Sequence, residues 1–146
     1  MGHRQLDNLA RIGKLKAEPA AENELRGLIR SGIRRLDDAA RGELSLESRF
    51  DLAYNAAHAL ALAALRFHGY RSDSRYLVFQ CLQHTLELPA ERWRVIDQAH
   101  RKRNLAEYEG EVDVDEQLLA ALLRVAREVA EGVDDLVAAN GAGGCG

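Results

Sequence analysis

The stretch that decides the fold is Ser45-Leu-Glu-Ser-Arg-Phe-Asp-Leu-Ala-Tyr-Asn-Ala-Ala-His-Ala-Leu-Ala-Leu-Ala-Ala-Leu-Arg-Phe-His68, followed by Gly69. Its alanines and leucines leave almost no side of a helix without apolar groups, and such a helix belongs at the centre of a bundle. Ser45 is placed to cap the N-terminus, and Glu47 sits in the first turn, where the helix dipole favours an anion. Gly69 supplies the stop. A helix is therefore expected over Leu46–His68. The run Ala56 to Leu65 is its most apolar part, but it is about half the length a bilayer requires and it contains His58, so it reads as a buried helix.

Amphipathic segments flank this one on both sides. Leu6, Leu9, Ile12 and Leu15 recur at helical spacing over Asp7 to Lys16, and Pro19 ends or kinks that piece. Over Glu22 to Arg41, Leu25, Leu28, Ile29, Ile33 and Leu36 form one buried stripe, with Arg26, Arg30, Arg34 and Arg35 around it and Gly42 as a stop. Beyond the central helix, one is expected from Ser72 or Asp73 to Glu87, with Leu77, Val78, Cys81, Leu82 and Leu86 inward. Pro89 precedes another, Ala90 to Glu109, which Gly110 closes. Asp113 and Glu116 match a capping box, and a last helix from Val114 to Ala138 buries Leu118, Leu119, Leu122, Val125, Ala126, Val129, Val133 and Leu136. The expected architecture is all-α, an up-and-down bundle of four to five helices in one domain over 1–139, with a flexible Gly-rich tail at 140–146.

Composition agrees. The chain has 146 residues, 47% hydrophobic but only 5% aromatic, with 29% charged and a net charge of −3. That length buries a core without disulfide or metal staples. The scarcity of β-branched and aromatic residues excludes a β-sandwich or barrel, and the small net charge gives no support for broad electrostatic binding to nucleic acid. Cys81 and Cys145 make no disulfide framework and read as reduced thiols, which points to the cytoplasm. The N-terminus has no apolar signal region, and Leu6 stands where a myristoylation signal wants Ser or Thr. No membrane association is expected.

Two interruptions carry the functional signal. In the central helix Asp51, Asn55 and His58 recur at i, i+4, i+7, on one face, beside Tyr54 and among alanines. Buried polar groups need partners, so this stripe is expected to meet other polar groups. In the following long helix Arg103, Asn104, Glu107 and Tyr108 share one broad side, after the basic run Arg101-Lys102-Arg103. Asn is a poor choice inside a helix unless its side chain is used. Arg103, Asn104 and Tyr108 are expected to meet Asp51, Asn55 and His58 in one polar site, with Asp51 orienting Arg103. The blander reading of both stripes is solvated helix surface or a structural hydrogen-bond network.

Three stretches resemble the HEPN domains (higher eukaryote and prokaryote nucleotide-binding). They are Ser48 to His58 with the Gly69-Tyr70-Arg71 turn, the His84 to Leu88 region, and Arg101-Lys-Arg-Asn-Leu-Ala-Glu-Tyr-Glu-Gly110 leading into a final long helix. The resemblance spans Arg30 to Asp135. It implies a dimerising helical bundle, expected as a homodimer, that takes a nucleotide or RNA phosphate within a toxin–antitoxin system or as the partner of a small nucleotidyltransferase. Many members are ribonucleases with an Arg and a His separated by four to six residues. Here the Arg-Asn matches Arg103-Asn104, but the His position falls on Tyr108, Glu109 or Gly110. A neutral Tyr is a poor general base near pH 7, so binding rather than turnover is expected, with no catalytic residue assigned. The literal match Arg94 to His100 is of the order expected by chance in so arginine-rich a chain.

A metal-independent ribonuclease toxin and a purely structural bundle are the alternatives. No cofactor and no metal are expected. The pairs Cys81/His84 and Asp97/His100 have helical ligand spacing, and a zinc held by His58, His84 and His100 is compatible with the residue types. However, the chain has no Glu-x-x-His pair of the kind that builds di-metal sites in bundles.

Overall fold

A computed structural model describes residues 3–110 and 115–144. The chain is mostly helical. In order it runs α1 (His3–Arg11), β1 (Lys16–Ala17), α2 (Glu22–Ala39), α3 (Leu46–Phe67), β2 (Tyr70–Arg71), α4 (Arg75–Gln80), α5 (Leu82–Thr85), α6 (Ala90–Glu109) and α7 (Glu116–Gly144). The helix α3 lies at the centre and packs most extensively on α2 and α7. Its N-terminus is held as expected, the Ser45 hydroxyl accepting from the Ser48 amide at 3.1 Å. Phe50, Ala53, Tyr54, Ala56, Ala57, Leu60, Ala61, Ala63, Ala64 and Leu65 are all buried.

Small residues let these helices approach closely. A Cβ added to Gly32 of α2 would stand 2.6 Å from Leu60 Cγ of α3, closer than any real carbon contact. Each buried leucine-sized side chain in such a core contributes about 1.5–3 kcal/mol.

Several boundaries differ from the sequence expectation, each for a local reason. The first helix begins earlier, at His3, and ends at Arg11 rather than at Lys16, because the chain turns through Gly13 in the left-handed region at φ 81°. Lys16 and Ala17 then leave the helix and pair antiparallel with Arg71 and Tyr70. The helix expected up to Glu87 is capped by the Ser74 hydroxyl and broken at Cys81 into α4 and α5. Glu87, at φ 53°, takes the chain out of helical geometry before Pro89. The ends of α6 agree with expectation, and Gly110 closes it in a left-handed cap at φ 85°. The last helix runs past Ala138 as far as Gly144, since each residue added to an existing helix gains a hydrogen bond at little nucleation cost. The expected cap at Asp113 and start at Val114 lie outside the described residues, as do Cys145 and Gly146. Among the described residues no helix is long and apolar enough to cross a membrane.

At the far end of α3, Arg66 is only 3% exposed although it is charged. Its Nε and Nη2 grip Glu24 at 2.6 and 3.1 Å, and its two terminal nitrogens also donate to the carbonyls of Glu18 and Pro19 at 2.7 and 3.2 Å. This guanidinium ties the segment between β1 and α2 to the central helix. Its hydrogen bond holds the Glu24 carboxyl below the usual carboxylate range against the opposing effect of desolvation.

Candidate functional site

The other end of α3 meets α4 and α6. Tyr54 is buried, and its hydroxyl lies 3.0 Å from His100 Nδ1. On the other side of the imidazole, Asn104 Nδ2 lies 3.1 Å from His100 Nε2. A neutral imidazole carries one proton. If the Asn104 amide donates to Nε2, the ring proton sits on Nδ1 and is donated to the Tyr54 oxygen. The chain Asn104–His100–Tyr54 thus runs from the helix surface into the core. The His100 ring also packs on Tyr76 at 5.3 Å and Phe79 at 6.0 Å between centroids.

Two guanidinium groups bracket this cluster. Arg75 lies 5.7 Å and Arg103 6.0 Å from the centroid of the Tyr54 ring, within cation–π range. Arg75 reaches the Asn55 carbonyl oxygen at 3.1 Å. Arg103 faces Asp51 at 3.4 Å, but the pair is not aligned as a hydrogen bond, and the buried Arg103 Nε forms none among the described residues. Tyr54, Arg75, Tyr76, His100, Arg103 and Asn104 line one cavity of about 370 Å³. Arg103 also borders a second, of about 570 Å³, with Asp51, Ser48 and Glu47 on its wall.

The electrostatics keep His100 neutral. Its pKa is lowered by burial, raised by the Asp97 carboxylate and lowered again by Arg75. His58, one turn further along α3, makes an edge contact with Phe79 at 5.7 Å, and burial with the nearby Arg75 charge pulls its pKa down to about 4. Cys81, buried nearby in sequence, has its thiol pushed up to about 11 by burial, which leaves it a protonated core side chain.

Of the six residues expected to share a site, four gather around the cleft. Arg103 and Asp51 form the expected pair, Asn104 turns to His100, and Asn55 turns to Arg75 while also bonding back to the Asp51 carbonyl at 2.8 Å. His58 is directed at Phe79 rather than at Arg103. Tyr108 does not join: it is 90% exposed and lies outside the cleft lining. Sequence reasoning missed His100 as a cleft residue, although it stands i−3 and i−4 from Arg103 and Asn104, the spacing of one helix face. It also missed Arg75 and Tyr76, whose placement depends on where α4 begins. Arg94 is exposed and is not part of the cleft. Among the described residues, no group of three or more His, Cys, Asp or Glu side chains is placed to hold a metal ion, so His58, His84 and His100 do not assemble a zinc site.

No protein-family model matches this chain, and no curated protein or solved structure does.

Proposed function

We propose that the chain is a nucleotide- or RNA-binding helical module, HEPN-like in fold, that binds rather than turns over its ligand. The observation that carries this reading is the pair of arginines, Arg75 and Arg103, set over one tyrosine ring at the mouth of a cavity of about 370 Å³. Guanidinium groups are the usual side chains for phosphate oxygens, and the faces of Tyr76 and His100 offer a platform for a base. The loose Asp51 contact leaves Arg103 donors for a ligand, and Asn104 adds an amide.

The module acts as a homodimer, and Leu105 and Tyr108, both exposed on α6, are the side chains that support a second copy docking there. A small nucleotidyltransferase or a toxin–antitoxin partner is the remaining part of the proposal. The test is titration with AMP and with a short single-stranded RNA. Arg103→Ala abolishes binding while helix content by circular dichroism stays unchanged. Unaltered binding by that variant overturns the site.

A ribonuclease reading has one observation in its favour, the neutral imidazole of His100 standing in the same cleft as both arginines. An RNA cleavage assay on the purified chain decides it. Cleavage lost in both His100→Ala and Arg103→Ala would replace the binding module by an enzyme.

A further inference from the structure

The cleft has more donors than an internal phosphodiester can use. Arg75 and Arg103 supply two permanent charges, and the Asn104 amide and Ser74 hydroxyl line the same cavity. A diester offers one negative charge and two free oxygens. A terminal monoester offers three oxygens and a charge of about −1.5 to −2 near neutral pH. Building on the phosphate-binding reading above, we propose that the cleft selects a terminal phosphate monoester, and that His100 takes up a proton when it binds.

The hydrogen-bond partners of His100 permit this. Tyr54 and Asn104 can each accept as well as donate. Asn104 Nδ2 faces His100 Nε2 at 3.1 Å, and Tyr54 Oη faces Nδ1 at 3.0 Å. An imidazolium must donate from both nitrogens. Tyr54 already accepts from Nδ1–H in the arrangement described above. A half-turn of the Asn104 amide presents its oxygen to Nε2–H and releases its NH₂ group. The proton therefore arrives without loss of a hydrogen bond. His58 differs in this respect, since its ring makes no hydrogen bond among the described residues and packs on Phe79.

The charges around the ring set the sign. From α4, Arg75 and the phenol of Tyr76 face His100. From α3 come Tyr54, neutral His58 and the Asp51 carboxylate, which is engaged with Arg103. On α6 itself stand Asp97, paired with Arg101 at 3.1 Å, and Arg103. Burial holds the ring neutral and Arg75 adds to it, while the Asp97 carboxylate pulls the other way. A dianion placed between Arg75 and Arg103 adds negative charge on the cavity side and reverses that balance.

The experiment is calorimetry on the full chain with AMP and with the methyl ester of AMP, a diester, in buffers of different ionisation enthalpy. AMP is expected to bind about tenfold tighter or more, as two charge-assisted contacts are traded for weaker ones in the diester. Net proton uptake by the wild type should exceed that of His100→Gln by about half a proton or more near pH 7, the ligand's own second ionisation near 6 contributing equally to both. Ring ¹⁵N shifts of His100 in the wild type, with and without AMP, read the same proton without any variant. Equal affinity for the two ligands, or ring shifts unchanged at saturation, overturns the inference. Arg103-dependent binding of both ligands with equal strength does so while leaving the binding reading intact. Absence of binding by either ligand and by RNA defeats both.

Discussion

An arginine meets a carboxylate at each end of α3, and the two pairs are built in opposite ways. At the C-terminal end Arg66 is buried, grips both oxygens of Glu24 and spends its remaining donors on the backbone carbonyls of Glu18, Pro19 and Tyr70. At the N-terminal end Arg103 is 35% exposed, stands 3.4 Å from Asp51 and, among the described residues, leaves its Nε without an aligned acceptor. A saturated guanidinium fixes structure, because every displaced bond would leave a buried polar group unpaired. An unsaturated one beside a cavity has binding capacity left over. Burial and bond count together, rather than the mere presence of an ion pair, separate the structural arginine from the ligand-binding one.

The sharpest way to break this contrast is to remove the saturated side. Arg66→Ala is expected to lower the unfolding free energy by about 3 kcal/mol, since removing one partner strands the other in a partly buried site. Urea denaturation measures it, and a loss below about 1 kcal/mol would mean that the clamp contributes no more than a surface pair does. AMP binding by the still-folded fraction should be unchanged.

The middle of the same helix gives a pH effect. The folded-state pKa of His58 is about 4, below the ordinary 6.5, so the neutral ring is favoured by folding. Its stabilising contribution is full above about pH 6.5 and is lost as the pH falls towards 4, because the unfolded chain then binds the proton more readily. Between pH 7 and 4.5 the wild type should lose about 2 kcal/mol more than His58→Gln. Parallel pH profiles for the two proteins would show that the ring is not held neutral by the fold.

On the unsaturated side the expected stability effects are small. Arg103→Ala should shift the unfolding free energy by no more than about 0.5 kcal/mol while removing AMP binding, a separation of fold from function that Arg66→Ala reverses. Smallest of all is Tyr108→Ala. With the ring almost wholly in solvent, thermal unfolding should stay within the few tenths of a kcal/mol typical of surface changes. AMP affinity should not move, and a loss of affinity there would extend the cleft to the end of α6.

The central helix was legible in the sequence, because a cylinder of Ala and Leu with Ser45 before it and Gly69 after it admits one reading. The long helices α2 and α7 were legible from their apolar stripes, and α6 from its bounds, Pro89 before it and Gly110 after it. The short elements were not. The strand Lys16–Ala17 exists only because Gly13 turns the chain back to meet Tyr70 and Arg71, a tertiary pairing with no local pattern. Of the cleft, the Asp51–Arg103 pair could be anticipated from face and charge. His100 had the right spacing but carried no separate signal, and Arg75 entered only because α4 starts at that residue. Arg66 passed unnoticed, since one arginine near the end of an apolar helix looks like a solvated last-turn cation until its partners from 42 to 48 residues away are known.

The closeness of Gly32 to Leu60 has a consequence for descent rather than for folding. Any side chain at position 32 collides with the leucine, so a lineage that acquires one there survives only with a smaller or repositioned group at 60. Gly27, five residues earlier on α2, has open space around it and is free of that bargain. Relatives of this chain should therefore vary at 27 independently and at 32 and 60 in step. That paired signature can be sought in homologous sequences even where overall identity has faded.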